Sequence, residues 1–173
     1  MNNKLRIGLA IFFIYLTGCG GLKQQMYQSP MSGDVAYIRL LDKDGLPFPK
    51  NSISVATYAE PETCTRRSFL LHYLQEPSLS YVKIKAGEPF SMSVHFGVSD
   101  GLMNTTCIPV INFQPEAGRY YTAQFFYSRS EGSCYLPLKS SDSPSMGPFR
   151  IEKPRAMIFS NGFTENSSFC KAK

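Results

Sequence analysis

The chain carries 18 Lys and Arg against 13 Asp and Glu over 173 residues, a formal charge of +5 at pH 7. The cations are dispersed, with Arg66-Arg67 the one adjacent pair, so the clustered footprint of a nucleic-acid binder is missing and no nucleic-acid partner is expected. A hydrophobic fraction of 43% excludes a disordered chain and suits one domain with its own core.

At the N-terminus, Lys4 and Arg6 precede a nearly unbroken apolar run from Ile7 to Leu16. A permanent membrane helix needs about 20 apolar residues, so this run is too short to span and instead suits a signal peptide. Leu16-Thr17-Gly18-Cys19 follows. An apolar residue and two small ones ahead of a cysteine resemble the lipobox of bacterial lipoproteins. The resemblance implies cleavage after Gly18, a diacylglyceryl thioether on Cys19 and a membrane held through that lipid anchor. At roughly 0.8 kcal/mol per buried methylene, two acyl chains anchor stably. Position 20 is Gly rather than the Asp of inner-membrane retention, which implies an outer membrane, facing the periplasm. Residues 1–18 then form the signal peptide, 19–33 the lipidated N-terminus and a flexible tether, and 34–173 a single domain. Loss of Lys4 and Arg6 lowers the formal charge to +3.

Four cysteines remain: Cys64, Cys107, Cys134 and Cys170. An even number outside the cytoplasm reads as a disulfide framework with three possible connectivities. Cys107 with Cys134 and Cys64 with Cys170 is the preferred pairing, against one geometric objection. If Cys107 and Cys134 lay on strands flanking a common middle strand, two spacings of about 4.7–4.9 Å would separate them. A bridge tolerates a Cα separation of about 7 Å at most. No C-x2–4-C pair occurs, and the only histidines, His72 and His95, lie in apolar-patterned runs. Neither a metal nor another cofactor is expected.

Beyond the tether, the periodicity is that of strands. Asp34 to Leu41 carries Val35, Tyr37, Ile38 and Leu40, then meets the turn Asp42-Lys43-Asp44-Gly45. Pro47 and Pro49 follow, and Ile53, Val55 and Thr57 alternate. A strand, an Asp-x-x-Gly turn, a proline and a second strand resemble the opening of transthyretin-like and related immunoglobulin-like sandwich domains. Residues 66–75 fit a helix or a strand equally. Val82 and Ile84 alternate with lysines, and the turn Ala86-Gly87-Glu88-Pro89 joins them to Phe90–Phe96. That run has period two, with Ser91, Ser93 and His95 on a face turned to solvent or to a polar neighbour.

Cys107 to Phe113 comes next, with Pro115-Glu116-Ala117-Gly118 as a hairpin turn and Tyr120 to Tyr127 as the return strand. Cys134 to Leu138 completes the meander. The Phe-x-Pro-Glu-x-Gly-x-x-Tyr run between cysteines resembles a pattern in small proteobacterial lipoproteins of unassigned function. Ser140–Pro154 reads as an irregular excursion before a last strand, Ala156–Phe159, and a tail that frays unless Cys170 ties it down. The expected fold is all-β, an antiparallel β-sandwich of immunoglobulin-like or transthyretin-like kind with about seven to nine strands.

Candidate chemistry is sparse. No G-x-S-x-G elbow is present, and His95, on the polar face of its strand, reads as an exposed histidine. Asp42 and Asp44 resemble the start of a calcium loop, but its twelfth position is Ile53. Glu60 and Glu62 flank Pro61 and form the one acid pair suited to glycan hydrolysis. The least bland feature is aromatic. Ten Tyr and 13 Phe occur without a Trp, and Tyr120, Tyr121, Tyr127 and Tyr135 gather around the meander as candidate contact residues. A non-enzymatic binding or scaffolding module with a protein partner in the envelope is the expected role. The alternatives are a hydrolase inhibitor acting through Ser140–Pro154 and, behind it, a glycan-acting hydrolase. Labelled palmitate is expected to enter the native chain and to be absent from Cys19→Ser; equal labelling of both would contradict the lipobox reading.

Overall fold

The computed structural model describes residues 25–42, 53–71, 80–99, 104–128, 130–145, 148–161 and 167–173. The expected signal peptide over 1–18, Cys19, all but the first residue of the expected Asp42–Gly45 turn, and His72 lie outside these residues. Fourteen strands are described. They are β1 (Val35–Leu41), β2 (Ile53–Glu60), β3 (Thr65–Leu71), β4 (Val82–Lys85), β5 (Phe90–Ser99), β6 (Asn104–Cys107) and β7 (Val110–Phe113). Then follow β8 (Tyr120–Gln124), β9 (Phe126–Ser128), β10 (Ser133–Tyr135), β11 (Leu138–Ser141), β12 (Arg150–Ile151), β13 (Arg155–Phe159) and β14 (Cys170–Ala172). The fold is all-β, and the ambiguous segment resolves as strand over Thr65–Leu71.

Two sheets face each other. One runs β12-β11-β8-β1-β4, and the other β14-β13-β7-β5-β2-β3, with β6 continuing beside β5. Between β6 and β7, Pro109 interrupts a single path, because proline has no N–H for the ladder. Its carbonyl still accepts from Val94 N at 3.2 Å. The named strands pair antiparallel except β1 with β8, which are parallel with Tyr37 opposite Tyr120. The first core fills the space between the sheets with Ile38, Val55, Ile84, Met92, Tyr121 and Leu138, none above 2% exposed.

The larger sheet is also covered on its other side. Tyr58, Cys64, Phe69, Met157, Phe169 and Cys170 form a second cluster there. The sheet curls until its ends meet: Phe169 N donates to Cys64 O, Cys170 N to Thr63 O, and Cys64 is bridged to Cys170. The tail is therefore tied down by Cys170 and forms β14. Strand β2 has no solvent face, and its burial runs unbroken from Ile53 to Tyr58.

Two turns carry the chain from sheet to sheet. Ala86–Pro89 joins β4 to β5, and Gln114–Arg119 joins β7 to β8. The second was expected as a hairpin, but β7 pairs with β5 and β13 while β8 pairs with β1 and β11. Alternation fixes which side chains point inward, not which strand lies alongside. Phe113 and Tyr121 instead meet across the interior with ring centroids 5.0 Å apart. The crossing locks itself: Glu116 N donates to Tyr121 Oη at 2.9 Å, and Gly118 takes φ 74°, a conformation that favours glycine. It also holds the neighbouring crossing, since Gly87 N donates to Pro115 O and Gln114 Nε2 to Gly87 O.

Cys107 bonds to Cys134 with Cα atoms 6.2 Å apart. The geometric objection lapses because Cys134 lies on the separate β9–β10 ribbon, not on a strand of the Cys107 sheet. On the chain-entropy relation, a loop of 106 residues is worth about 4.7 kcal/mol and one of 27 about 3.5. Urea unfolding of Cys64→Ala/Cys170→Ala and Cys107→Ala/Cys134→Ala is expected to show the larger loss in the first pair. The reverse order would contradict the closure of the larger sheet.

Candidate functional site: an aromatic and cationic sheet face

Strands β4, β1, β8 and β11 turn Ile84, Ile38, Tyr121 and Leu138 into the core. Alternation then sends Lys83, Tyr37, Arg39, Tyr120, Thr122 and Lys139 to the opposite face. Tyr37 and Tyr120 sit opposite each other in the parallel register and stack at 4.6 Å with planes 8° apart. Tyr81 meets the edge of Tyr120 at 5.2 Å. Arg39 lies over the Tyr81 ring at 4.6 Å and donates through Nε to Thr122 Oγ1 at 3.1 Å. These contacts fix the guanidinium in place, a cross-strand lattice of rings and charge. Among the described residues, no Asp or Glu occupies an outward position of β1, β4, β8, β11 or β12.

One end of this face is bounded by a surface charge chain. Glu116 accepts from Arg119 and Arg150, and Arg119 reaches Asp142 at 2.8 Å. The two guanidiniums hold the Glu116 carboxyl below the usual carboxylate range. Being exposed, the chain orients the crossing more than it stabilises it.

The proposed contact tyrosines part company. Tyr120 is on the open face. Tyr121, 1% exposed, belongs to the core and is withdrawn as a contact residue. Tyr127 packs on the first core, 5.2 Å from Phe96. Tyr135 is 56% exposed and stacks on Phe126 at 4.8 Å, on the β9–β10 ribbon. Tyr37, Tyr81 and Arg39 were passed over by sequence reasoning. Their signal was alternation with Ala36, Ile38 and Val82, readable once those strands are assigned.

Other expectations also move. Ser140 and Ser141 belong to β11, and Arg150–Ile151 pair with it, so the 140–154 stretch is in part an edge of the sheet. Glu60, the last residue of β2, and Glu62, on the β2–β3 turn, both lie exposed, Glu60 accepting from Thr65 and Glu62 paired with Arg155. Both are held locally rather than as a pair.

His95 was expected to be exposed. It is half-buried, because the polar face of β5 looks into the second core rather than into solvent. Tyr58 Oη lies 2.6 Å from Ser93 Oγ, which lies 3.0 Å from His95 Nε2. Beside them, Ser91 Oγ donates to Pro61 O and Asn112 Nδ2 donates to Ser91 Oγ. Ser93 is 0% exposed, and its contacts to Tyr58 and His95 satisfy a buried hydroxyl. The His95 ring edge meets Phe159 at 5.3 Å. Burial first, and the charge of Arg67 second, lower its pKa to about 4.

No protein-family model, curated protein or solved structure matches this chain.

The folded His95 pKa lies below its ordinary value of about 6.5, so the unfolded state binds the extra proton. The stability due to neutral His95 is complete above about pH 6.5 and declines toward pH 4, by about 2–3 kcal/mol allowing for partial exposure. Urea midpoints across that window are expected to fall in the native chain and to flatten in His95→Phe. A profile unaltered by the substitution would contradict the burial.

Proposed function

We propose that the chain is a lipid-anchored envelope lipoprotein whose domain is a non-enzymatic binding module, with the outer face of the five-stranded sheet as its contact surface. The observation that carries the reading is the mutually stacked group of Tyr37, Tyr81, Tyr120 and Arg39 on the face of the five-stranded sheet turned away from the core, half-exposed among the described residues. Held aromatic rings and an arginine are what interfaces enrich, because little side-chain entropy is left to lose on binding.

Arg39, Lys83 and Lys139 on this face favour an acidic protein surface as the partner. Opposite charge steers encounter and fixes register more than it raises affinity. The resemblance of Leu16–Cys19 to a lipobox supports a partner within the envelope. Localisation at an outer membrane, facing the periplasm, rests on Gly20 after the acylated cysteine.

A photoreactive phenylalanine analogue at Tyr81 or Tyr120 in living cells is expected to give a discrete adduct with one envelope protein. The same group at Tyr135 is expected to give none. Arg39→Glu with Lys83→Glu should abolish the adduct while the chain stays folded, its unfolding free energy lowered by about 1–2 kcal/mol through loss of the Arg39 contacts to Tyr81 and Thr122. An adduct that survives this reversal would contradict the acidic-partner reading.

A further inference from the structure

The N-terminal segment does not hang free along its whole length. Phe69 N donates to Gln25 O at 2.8 Å and Tyr27 N donates to Phe69 O at 2.9 Å, so Met26 forms a parallel bridge to the β3 edge. Met26 packs on the second core and Tyr27 on the first. Part of the stretch expected as tether is therefore docked on the β3 edge through a single bridge.

This has consequences for an anchor at Cys19. Only residues 20–24 separate it from Gln25. Six Cα steps at about 3.3–3.6 Å per residue span roughly 20 Å at most. The parallel sense of the bridge also gives a direction, because the backbone enters Gln25 from the Arg66–Arg67 end of β3. Arg66 is exposed, and Arg67 lies over the rings of Phe69 and Phe169 at 5.0 and 4.5 Å.

We propose that the docked Gln25–Tyr27 segment orients the domain on the membrane, holding the Arg66–Arg67 end of β3 at an anionic headgroup layer. The inference rests on acylation of Cys19. Two adjacent cations attract anionic lipid once they come within roughly a Debye length of the surface, about 8–10 Å. A domain seated in this way presents one fixed side to the membrane instead of tumbling at the end of a coil.

The absence of Trp makes a single introduced Trp a clean probe. Acylated Thr65→Trp, which keeps both arginines, is placed in vesicles of phosphatidylglycerol and phosphatidylcholine containing a headgroup nitroxide lipid. Its emission is expected to be largely lost, whereas acylated Tyr135→Trp keeps most of its own. Adding Met26→Gly with Tyr27→Gly should restore the Thr65→Trp emission. Equal quenching at the two positions, or no recovery on release of the segment, overturns the orientation. Unchanged quenching in pure phosphatidylcholine overturns the anionic contact. Intact mass separates this from the underlying reading: a chain without acyl mass removes the lipoprotein assignment, while an acylated chain with an unquenched Thr65→Trp overturns the orientation alone.

Discussion

Burial of the larger sheet on both of its faces is the constraint from which the other features follow. Strands β2 and β5 are shared by two clusters, so Val55 and Val94 face one core while Ala56 and Ser93 face the other. A sheet covered twice needs small or internally bonded side chains on its polar side. Ser91 and Ser93 supply them, and Tyr58, His95, Asn112 and the Pro61 carbonyl complete their hydrogen bonds. A buried hydroxyl left without a partner costs more than the bond it forfeits, so the network must be complete to be tolerable. No buried side-chain nitrogen or oxygen among the described residues lacks a partner.

The second cover is made of chain ends. The tail supplies Phe169 and Cys170, and the N-terminal segment supplies Met26. Closing the curl thus depends on the Cys64–Cys170 bond, formed where Cys64 itself takes φ 51°, in the left-handed region. Such strain in a residue other than glycine persists where surrounding contacts over-determine it. On the five-stranded sheet, the face turned away from the core carries rings and cations, with no carboxylate at an outward position of its strands among the described residues. The proposed binding role uses that second face and leaves the doubly buried sheet to hold the fold.

Much of this was legible in the letters. Alternation located β1, β5, β7 and β8, and cysteine parity pointed to two bridges. The stretch Ile53–Tyr58 contains no charged residue, which is how a strand with two buried faces reads. Beside the serines of β5, that signal marked a second core. It was missed because Ser91, Ser93 and His95 satisfy the ordinary pattern of a solvated face, and hydrogen-bond satisfaction cannot be read from composition. The crossing at Pro115–Gly118 was mistaken for a hairpin for a related reason: a tight turn specifies a reversal but not whether the returning strand pairs or packs. Tyr120 was placed correctly by parity, whereas Tyr121 was grouped with it by proximity in sequence. Tyr37 joined the site only through a parallel pairing 83 residues away in sequence, which no local pattern contains.

Solvent accessibility of methyl groups on the two faces of the larger sheet tests the double burial most directly. With a soluble paramagnetic agent, the methyls of Ala56, Val110 and Met157 are predicted to relax as little as those of Val94 and Ala123, while Ile151 relaxes strongly. Relaxation of Ala56 and Met157 matching that of Ile151 would show an open second face. That result would contradict both the buried His95 network and the closure of the curl.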